Sequence, residues 1–161
     1  MIDGVKIKNL TAREDIPDQA DGRVKPGFLM EILRADEEIF TKFGQSTLTV
    51  AYEGTVKGFH IHEKQDDMWF AATGKIMIML YDLRPASSTY KKTEVLHAGE
   101  NDYKLLVIPP GVAHGYKVLS KEPVLLFYHT TEPYNASHPD EKRRSLDDSE
   151  INFDWSKYAR Q

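Results

Sequence analysis

The sequence predicts an all-β protein, a closed two-sheet jelly roll with one minor helix. Three observations indicate this fold: apolar and polar residues alternate in many short segments, Gly, Pro, Ser and Asp separate these segments at short intervals, and only one segment fits a helix. We favour the jelly roll because its closed interior can be shared by histidines from separate strands.

The expected strands follow one another with little between them. Their residues are 5–10, 28–33, 46–53, 57–62, 68–72, 75–82, 93–97, 103–108, 115–119 and 124–130. Residues 75–82 are nearly all apolar, which predicts a strand buried on both faces. Residues 12–25 and 84–90 are expected loops. Residues 36–43 are the expected helix, with an acidic start and Gly44 as its C-terminal stop.

Length, charge and composition narrow the class of protein. A chain of 161 residues predicts a single domain spanning residues 1–161. The net charge of −4 argues against nucleic acid or an anionic membrane surface as a partner. Cysteine is absent, so any metal is held by nitrogen and oxygen ligands, which suits Zn, Mn, Fe, Ni, Co or Cu. We expect a cytoplasmic protein, because the sequence shows neither the apolar core of a signal peptide nor a membrane-spanning run.

Three histidines and two carboxylates are the candidate functional residues. His60 and His62 are two residues apart on an expected strand, so their imidazoles point to the same face. Asp66 and Asp67 follow, and His114 comes directly after a Pro-Pro-Gly turn. Imidazoles and a carboxylate that converge on one point form either a metal site or an acid–base site, and both interpretations remain open at this stage.

The C-terminal part of the chain has two features with structural expectations. Residues 151–155 are apolar and aromatic, and we expect them to dock on the barrel or on a second subunit. Residues 140–144 are a run of charges, and we expect a solvated segment or a contact across a dimer.

Two segments resemble the motifs of the cupin superfamily. The first motif is matched at Gly54, His60, His62, Asp67 and Gly74, with Asp67 where Glu is more usual. Residues 109–114 resemble the second motif, Pro-x-Gly-x-x-His. The resemblance implies a cupin-type double-stranded β-helix and, carried over position by position, a divalent transition metal held by His60, His62, Asp67 and His114.

A closer resemblance, to the dTDP-4-dehydrorhamnose 3,5-epimerases, covers most of the chain from Gln45 to Trp155. It rests on Lys-Gly-Phe-His at 57–60, Tyr-Asp-Leu-Arg at 81–84, Ser-Ser-Thr-Tyr at 87–90, residues 108–116, residues 128–134 and the tail. In the segment 108–116, Tyr116 stands where that family has Phe.

The resemblance implies the roles of individual residues. It makes His60 the base and Tyr134 the acid of an epimerase that removes a proton next to the ketone of a 4-keto-6-deoxyhexose nucleotide. It implies that Lys57 and His114 hold the sugar and the nucleotide diphosphate, and that Tyr128 lines the pocket. It also implies a homodimer, because the family pairs its barrels by sharing strands.

Two departures from the family pattern keep other interpretations open. Asp67 stands where the family has a Lys that stabilises the enolate, and the family's carboxylate partner for the base lies beyond the tail, so we expect His60 to lack it. One hypothesis is that a metal at the four predicted ligands supplies the missing positive charge. The alternatives are a metal-dependent cupin of another class, such as an isomerase or a dioxygenase, and a non-catalytic sugar-binding cupin.

Overall fold

The computed structural model describes residues 1–15 and 27–158, and within them the protein is built from short antiparallel strands. The strands are β1 (Lys6–Asn9), β2 (Arg13–Glu14), β3 (Phe28–Leu29), β4 (Gln45–Ala51), β5 (Val56–Ile61), β6 (Asp67–Ala71), β7 (Lys75–Asp82), β8 (Thr93–Gly99), β9 (Lys104–Ile108), β10 (Val112–Val118), β11 (Val124–Thr130) and β12 (Lys142–Arg143). A single turn of 3₁₀ helix covers Trp155–Lys157.

The strands form two five-stranded sheets that face each other. The first has the order β1-β9-β6-β11-β4 and the second the order β12-β5-β10-β7-β8, while β2 and β3 form a separate pair. The inward-facing residues of both sheets share one apolar core, which includes Trp69, Leu106 and Leu126 from the first sheet and Ile78 and Val118 from the second. The predicted all-β jelly roll is confirmed.

The outer face of the second sheet is covered by the C-terminal tail. Ile151 and Trp155 are buried there against Phe59, Met77 and Met79. The Trp155 ring stacks on the Phe59 ring with centroids 5.5 Å apart. This confirms that the tail docks on the barrel, and it explains why β7 is apolar on both faces.

The outer face of the first sheet is covered by residues 30–39 in irregular conformation. Their apolar side chains pack on Met68, Phe70 and Leu105. The predicted helix at residues 36–43 is wrong: the structure has isolated turns there, and Gly44 bonds across to the carbonyl of Thr130. So short a helix is marginal by itself, and Glu37 is instead drawn to the ammonium of Lys8 at 2.6 Å.

Three smaller differences concern element boundaries. The predicted strand 28–33 is shortened to β3, because the next residues turn to cover the sheet. β10 starts at Val112, so His114 lies within a strand and not at its entrance. The predicted loop 12–25 contains β2, and its residues 16–25 lie outside the described residues.

No helix in the described part of the chain could cross a membrane. The single domain stays a prediction.

Candidate active site

A cavity of about 1280 Å³ opens between the two sheets. Its walls come from β4, β5, β6, β10 and β11, and its rim from the segment that leads to β12. All the predicted site residues line it: Lys57, His60, His62, Asp67, His114, Tyr128 and Tyr134. The topology brings them together because β5 pairs with β10, so that His60 lies opposite His114.

A buried carboxylate lies between two imidazoles on the cavity wall. Oδ2 of Asp67 is 3.6 Å from Nε2 of His62 and 3.5 Å from Nε2 of His114. Asp67 also accepts hydrogen bonds from the side-chain amide of Gln65 at 2.8 Å and from the indole of Trp69 at 3.2 Å. Although burial opposes it, the hydrogen bonds from His114 and His62 hold the pKa of Asp67 far below its usual range.

The backbone fixes which nitrogen of each imidazole faces this carboxylate. Nδ1 of His114 lies 2.9 Å from the carbonyl oxygen of Val112, and Nδ1 of His62 contacts the carbonyl oxygen of Asp140. Because a carbonyl only accepts, both Nδ1 atoms carry a proton, and a neutral ring then presents a lone pair at Nε2. Two nitrogen lone pairs beside an anionic carboxylate repel it. A positive charge, either protons on the rings or a metal ion, stabilises this arrangement.

Electrostatics favour the charged form of one of these rings. Burial lowers the pKa of His62, but the hydrogen bond to Asp67 and the charge of that carboxylate outweigh burial, and the pKa is raised overall. His62 is therefore more easily protonated than an ordinary histidine.

His60 lies apart from this group. The ligand atoms of His62, Asp67 and His114 lie within 4.8 Å of one another, and His60 is not part of that set. Its ring stacks on that of His114 with centroids 6.2 Å apart. Burial lowers the pKa of His60, although the charge of Glu141 partly opposes this. A neutral imidazole at neutral pH is the form that a general base requires.

The partner of His60 is a residue that sequence reasoning missed. Oε2 of Glu141 lies 3.3 Å from Nδ1 of His60, and the guanidinium of Arg143 donates to Glu141 at 2.6 Å. His60 therefore has a carboxylate neighbour, although the sequence predicted only that it would lack the partner usual in the family. The sequence carries no local signal for this contact, because only the pairing of β12 with β5 brings Glu141 to His60.

The charged run 140–144 borders the cavity. Residues 141–143 are exposed, as expected for a solvated segment, and Asp140, Glu141 and Arg143 also line the cavity. The dimer contact stays a prediction. Its first carboxylate, Asp140, accepts the backbone N–H groups of Glu63, Lys64 and Gln65 at 3.1, 2.9 and 3.0 Å. β12 then pairs with β5 and places Arg143 opposite His60. These bonds hold the segment over the cavity.

The remaining predicted residues take up the far wall and the rim. The ammonium of Lys57 donates to the hydroxyl of Thr49 at 2.8 Å, and Tyr128 on β11 lies opposite Trp69 on β6. Tyr134 is 68% exposed at the rim, and its backbone N–H bonds to the side chain of Gln45 at 2.9 Å.

A jelly roll with imidazoles, carboxylates and a tyrosine around one interior cavity defines a cupin-type barrel equipped for proton transfer. The comparisons with known proteins give the family. The family model described as dTDP-4-dehydrorhamnose 3,5-epimerase matches residues 9–161. The chain belongs to this family, whose members are carbohydrate epimerases.

Individual relatives support the same assignment. The chain is 46% identical over 156 residues to the spore coat polysaccharide biosynthesis protein SpsL of Bacillus subtilis, covering 97% of each chain. It is 33% identical over 144 residues to the probable low-salt glycan biosynthesis epimerase Agl13 of Haloferax volcanii, covering 88% of this chain and 90% of that protein. A dTDP sugar isomerase of Desulfovibrio desulfuricans has a similar solved structure, with a TM-score of 0.84, 25% identity, and coverage of 98% and 94%.

Proposed function

We propose that this enzyme epimerises the sugar of a nucleotide-linked 4-keto-6-deoxyhexose at a carbon next to the ketone. The observation that carries the proposal is the pair of His60 and Glu141 on the cavity wall, with Oε2 of Glu141 3.3 Å from Nδ1 of His60. Burial keeps that imidazole neutral by lowering its pKa, so it is ready to accept a proton. The names of SpsL and Agl13 support a place in polysaccharide biosynthesis. We place the reaction in the cytoplasm.

The proposed steps assign one proton transfer to each face of the sugar. His60 removes the proton from the carbon next to the carbonyl, and the electrons of that C–H bond form the enolate, with the negative charge on the former carbonyl oxygen. Tyr134 then returns a proton to the opposite face of the same carbon, and the carbonyl is restored. His60 passes its proton to solvent and Tyr134 regains one, so the net result is inversion of one stereocentre.

The enolate needs a positive partner, and Asp67 alone would repel it. The structure offers His62, whose raised pKa favours a protonated ring beside Asp67. The positive charge of such a ring, fixed in place before the reaction begins, stabilises an oxyanion that forms near it.

A divalent transition metal at His62, Asp67 and His114 is the second source of positive charge. Distances of 3.5 and 3.6 Å between ligand atoms resemble those between two ligands that each lie about 2.1 Å from one ion. Both imidazoles also donate Nδ1–H to a backbone carbonyl, as metal-bound histidines commonly do. When bound, the ion would polarise the carbonyl as a Lewis acid. Because His60 lies outside this group, a metal there leaves it free as the base.

We further propose a homodimer built through the edge of the first sheet. β4 is the last strand of that sheet, and its outward residues Leu48 and Val50 are 49% and 44% exposed. Tyr52, directly after the strand, is 66% exposed. An exposed apolar edge strand is a template for pairing with another chain, and a second copy of the same strand is self-complementary.

Solvent exchange tests the proposed reaction directly. The enzyme is incubated in D₂O with dTDP-4-keto-6-deoxyglucose, and NMR and mass spectrometry follow deuterium at the carbons next to the ketone. We expect deuterium to enter with the wild-type enzyme and not with His60→Asn. The exposed His97 lies outside the cavity, so His97→Asn is the matched control and should exchange normally. Wild-type protein that binds the sugar nucleotide without exchange would instead be a non-catalytic binding protein.

A further inference from the structure

Asp140, in the segment that leads to β12, contacts the four consecutive residues that follow β5. Its carboxylate accepts the backbone N–H groups of Glu63, Lys64 and Gln65 at 3.1, 2.9 and 3.0 Å. Its backbone carbonyl oxygen contacts Nδ1 of His62. Asp140 therefore joins the C-terminal part of the chain to a segment that lies 75 to 78 positions earlier.

The carboxylate of Asp140 is held strongly in its place. Three successive backbone N–H groups around one anion form a concave site with partial positive charge, and hydrogen bonds to an ionised group are stronger than neutral ones. Burial opposes the charged form, but the bonds from Lys64, Gln65 and Glu63 outweigh burial, and the pKa of Asp140 is lowered. The carboxylate is therefore ionised at neutral pH, and its bonds fix the position of the carbonyl of the same residue.

His62 depends on this distant carbonyl, whereas the orientation of His114 is fixed locally. Nδ1 of His114 bonds to the carbonyl of Val112, two residues earlier on the same strand, at 2.9 Å. The corresponding partner of His62 is Asp140, 78 residues further along the chain. Without a carbonyl at Nδ1, a neutral imidazole is free to carry its proton on either nitrogen. Part of the molecules would then lose the lone pair at Nε2, the nitrogen that faces Asp67.

Gln65 connects the same carboxylate to Asp67 on the cavity wall. The backbone N–H of Gln65 donates to Asp140, and its side-chain amide donates to Oδ1 of Asp67 at 2.8 Å. The indole of Trp69 holds the other oxygen of Asp67 at 3.2 Å. Asp140 thus reaches two residues of the proposed site of positive charge, His62 directly and Asp67 through Gln65.

We propose that Asp140 is a positioning residue for the reaction: its carbonyl fixes the Nδ1–H tautomer of His62, and its carboxylate holds that carbonyl and Gln65 in place. This inference rests on the proposed function and adds to it a residue that acts through His62 and Asp67. A structural role alone would affect the stability of the fold and leave both the His62 ring and the rate of the reaction unchanged.

NMR of the imidazole nitrogens tests the proposal without a substrate. The protein carries ¹⁵N-labelled histidine, EDTA removes any bound metal ion, and long-range ¹H–¹⁵N spectra above the pKa of the rings give each tautomer. The variant His62→Asn identifies the signal of His62. We expect the Nδ1–H tautomer of His62 in the wild type and a mixture of both tautomers in Asp140→Ala. The signal of His114 should be the same in both proteins.

The matched control is Asp148→Ala. Asp148 also accepts two backbone N–H groups, those of Glu150 and Ile151 at 3.0 Å, but it lies outside the cavity. This variant should keep the wild-type tautomers and the wild-type rate, whatever its effect on the melting temperature.

Kinetics with dTDP-4-keto-6-deoxyglucose measure the effect on the reaction. We expect Asp140→Ala to lower kcat about 10- to 100-fold, the loss typical when the orienting partner of a functional imidazole is removed. KM should change by less than about threefold, because the enolate charge exists only after the proton has been removed. Asp140→Asn keeps one side-chain oxygen that accepts N–H groups, so its kcat should lie between those of the wild type and Asp140→Ala.

Two results would count against these expectations in different ways. Wild-type tautomers and wild-type kcat in Asp140→Ala, with a lowered melting temperature, would show a structural role only and overturn the proposal. Wild-type protein that does not convert the substrate would contradict the proposed function, whereas the tautomers of His62 would still decide whether Asp140 positions that ring.

Discussion

The carboxylate of Glu141 lies 3.3 Å from Nδ1 of His60, although the two residues are far apart in the chain. β12 pairs with β5, and the carboxylate is held in turn by Arg143. A carboxylate at Nδ1 fixes the ring orientation and leaves Nε2 as the nitrogen that accepts the substrate proton in the proposed reaction. The contact between Glu141 and His60 therefore ties the charged segment 140–144 to the cavity wall.

The variant Glu141→Gln should lower kcat by about tenfold or more, because the base loses its orienting partner and the stabilisation of its charged form. Since the charge of Glu141 raises the pKa of His60 against the effect of burial, its loss should lower that pKa further. The acidic limb of the kcat/KM profile should then move to lower pH. Rate measurements from about pH 5 to pH 9 check both effects.

The control is Glu63→Gln, which removes an exposed carboxylate paired with Lys142 on the same side of the molecule. This variant should keep the wild-type rate and pH profile. An unchanged kcat in Glu141→Gln would show that the neighbouring carboxylate plays no part in the reaction.

The strands and the histidines were predictable because both depend on local pattern. An alternation of period two places His60 and His62 on one face whatever the rest of the chain does. The Pro-Pro-Gly turn likewise positions His114 by short-range geometry. The prediction of the cavity required only that the two strands be neighbours, which the jelly roll provides.

Glu141 and residues 36–43 were not predictable in the same way because distant contacts decide their structure. A run of mixed charges has no period that shows which carboxylate meets His60, and only the pairing of β12 with β5 selects it. Residues 36–43 have local helix signals, but the salt bridge between Lys8 and Glu37 and the packing of the segment on the first sheet outweigh them.

The variant Tyr134→Phe should abolish epimerisation but not proton removal. His60 remains able to take the proton, so deuterium from solvent should still enter with retention of configuration while the inverted product is lost. The side chain of Tyr134 is 68% exposed, so the free energy of unfolding should change by less than about 0.5 kcal/mol. NMR of the sugar and urea unfolding measure the two quantities.

The loop tyrosine Tyr90, 41% exposed and outside the cavity, provides the control variant Tyr90→Phe. It should epimerise at the wild-type rate. Full epimerase activity in Tyr134→Phe would remove this residue from the role of acid.

Metal content distinguishes the two sources of positive charge beside Asp67. For protein purified without a histidine tag or added metal, elemental analysis should find about one divalent transition metal per subunit if His62, Asp67 and His114 bind it. Asp67→Ala should then lower the stoichiometry, whereas His60→Asn should keep it, because His60 lies outside the group.

The neighbouring carboxylate gives the matched control, Asp66→Asn, which should retain the metal. Metal-free wild-type protein that is fully active would contradict the metal proposal and leave the protonated His62 as the positive group. Loss of metal in His60→Asn would instead restore the four-ligand site that the cupin motif predicts.

The variant Asp82→Asn should destabilise the fold by about 3–5 kcal/mol at pH 7, because it leaves the charge of Arg84 without its buried partner. Asp82 is fully buried and accepts from Arg84 at 2.8 Å and from Ser87 and Thr89 at 2.6 Å. Although burial opposes it, these bonds lower the pKa of Asp82. A lowered pKa stabilises the fold above the unfolded value of about 4, and that stabilisation is lost as the pH falls further.

Urea unfolding at pH 7 and pH 3 measures this contribution. The difference between wild type and Asp82→Asn should be smaller at pH 3. The control Asp102→Asn removes an exposed carboxylate paired with Lys104, and it should change stability by less than about 1 kcal/mol. A pH-independent difference for Asp82 would mean that packing, and not its charge, provides the stabilisation.

The edge strand β4 gives a direct test of the proposed homodimer. Leu48 and Val50 are exposed on its outer side, so the double variant Leu48→Lys/Val50→Lys should leave the fold intact while placing like charges across a self-paired edge. We expect light scattering after size exclusion to give a dimer for the wild type and a monomer for the variant. Leu146→Lys adds a charge at an exposed leucine outside β4 and should remain dimeric. A monomeric wild type would contradict the homodimer. A dimeric double variant would place the interface elsewhere, because burying two unpaired lysines per chain along one shared strand has a large free-energy cost.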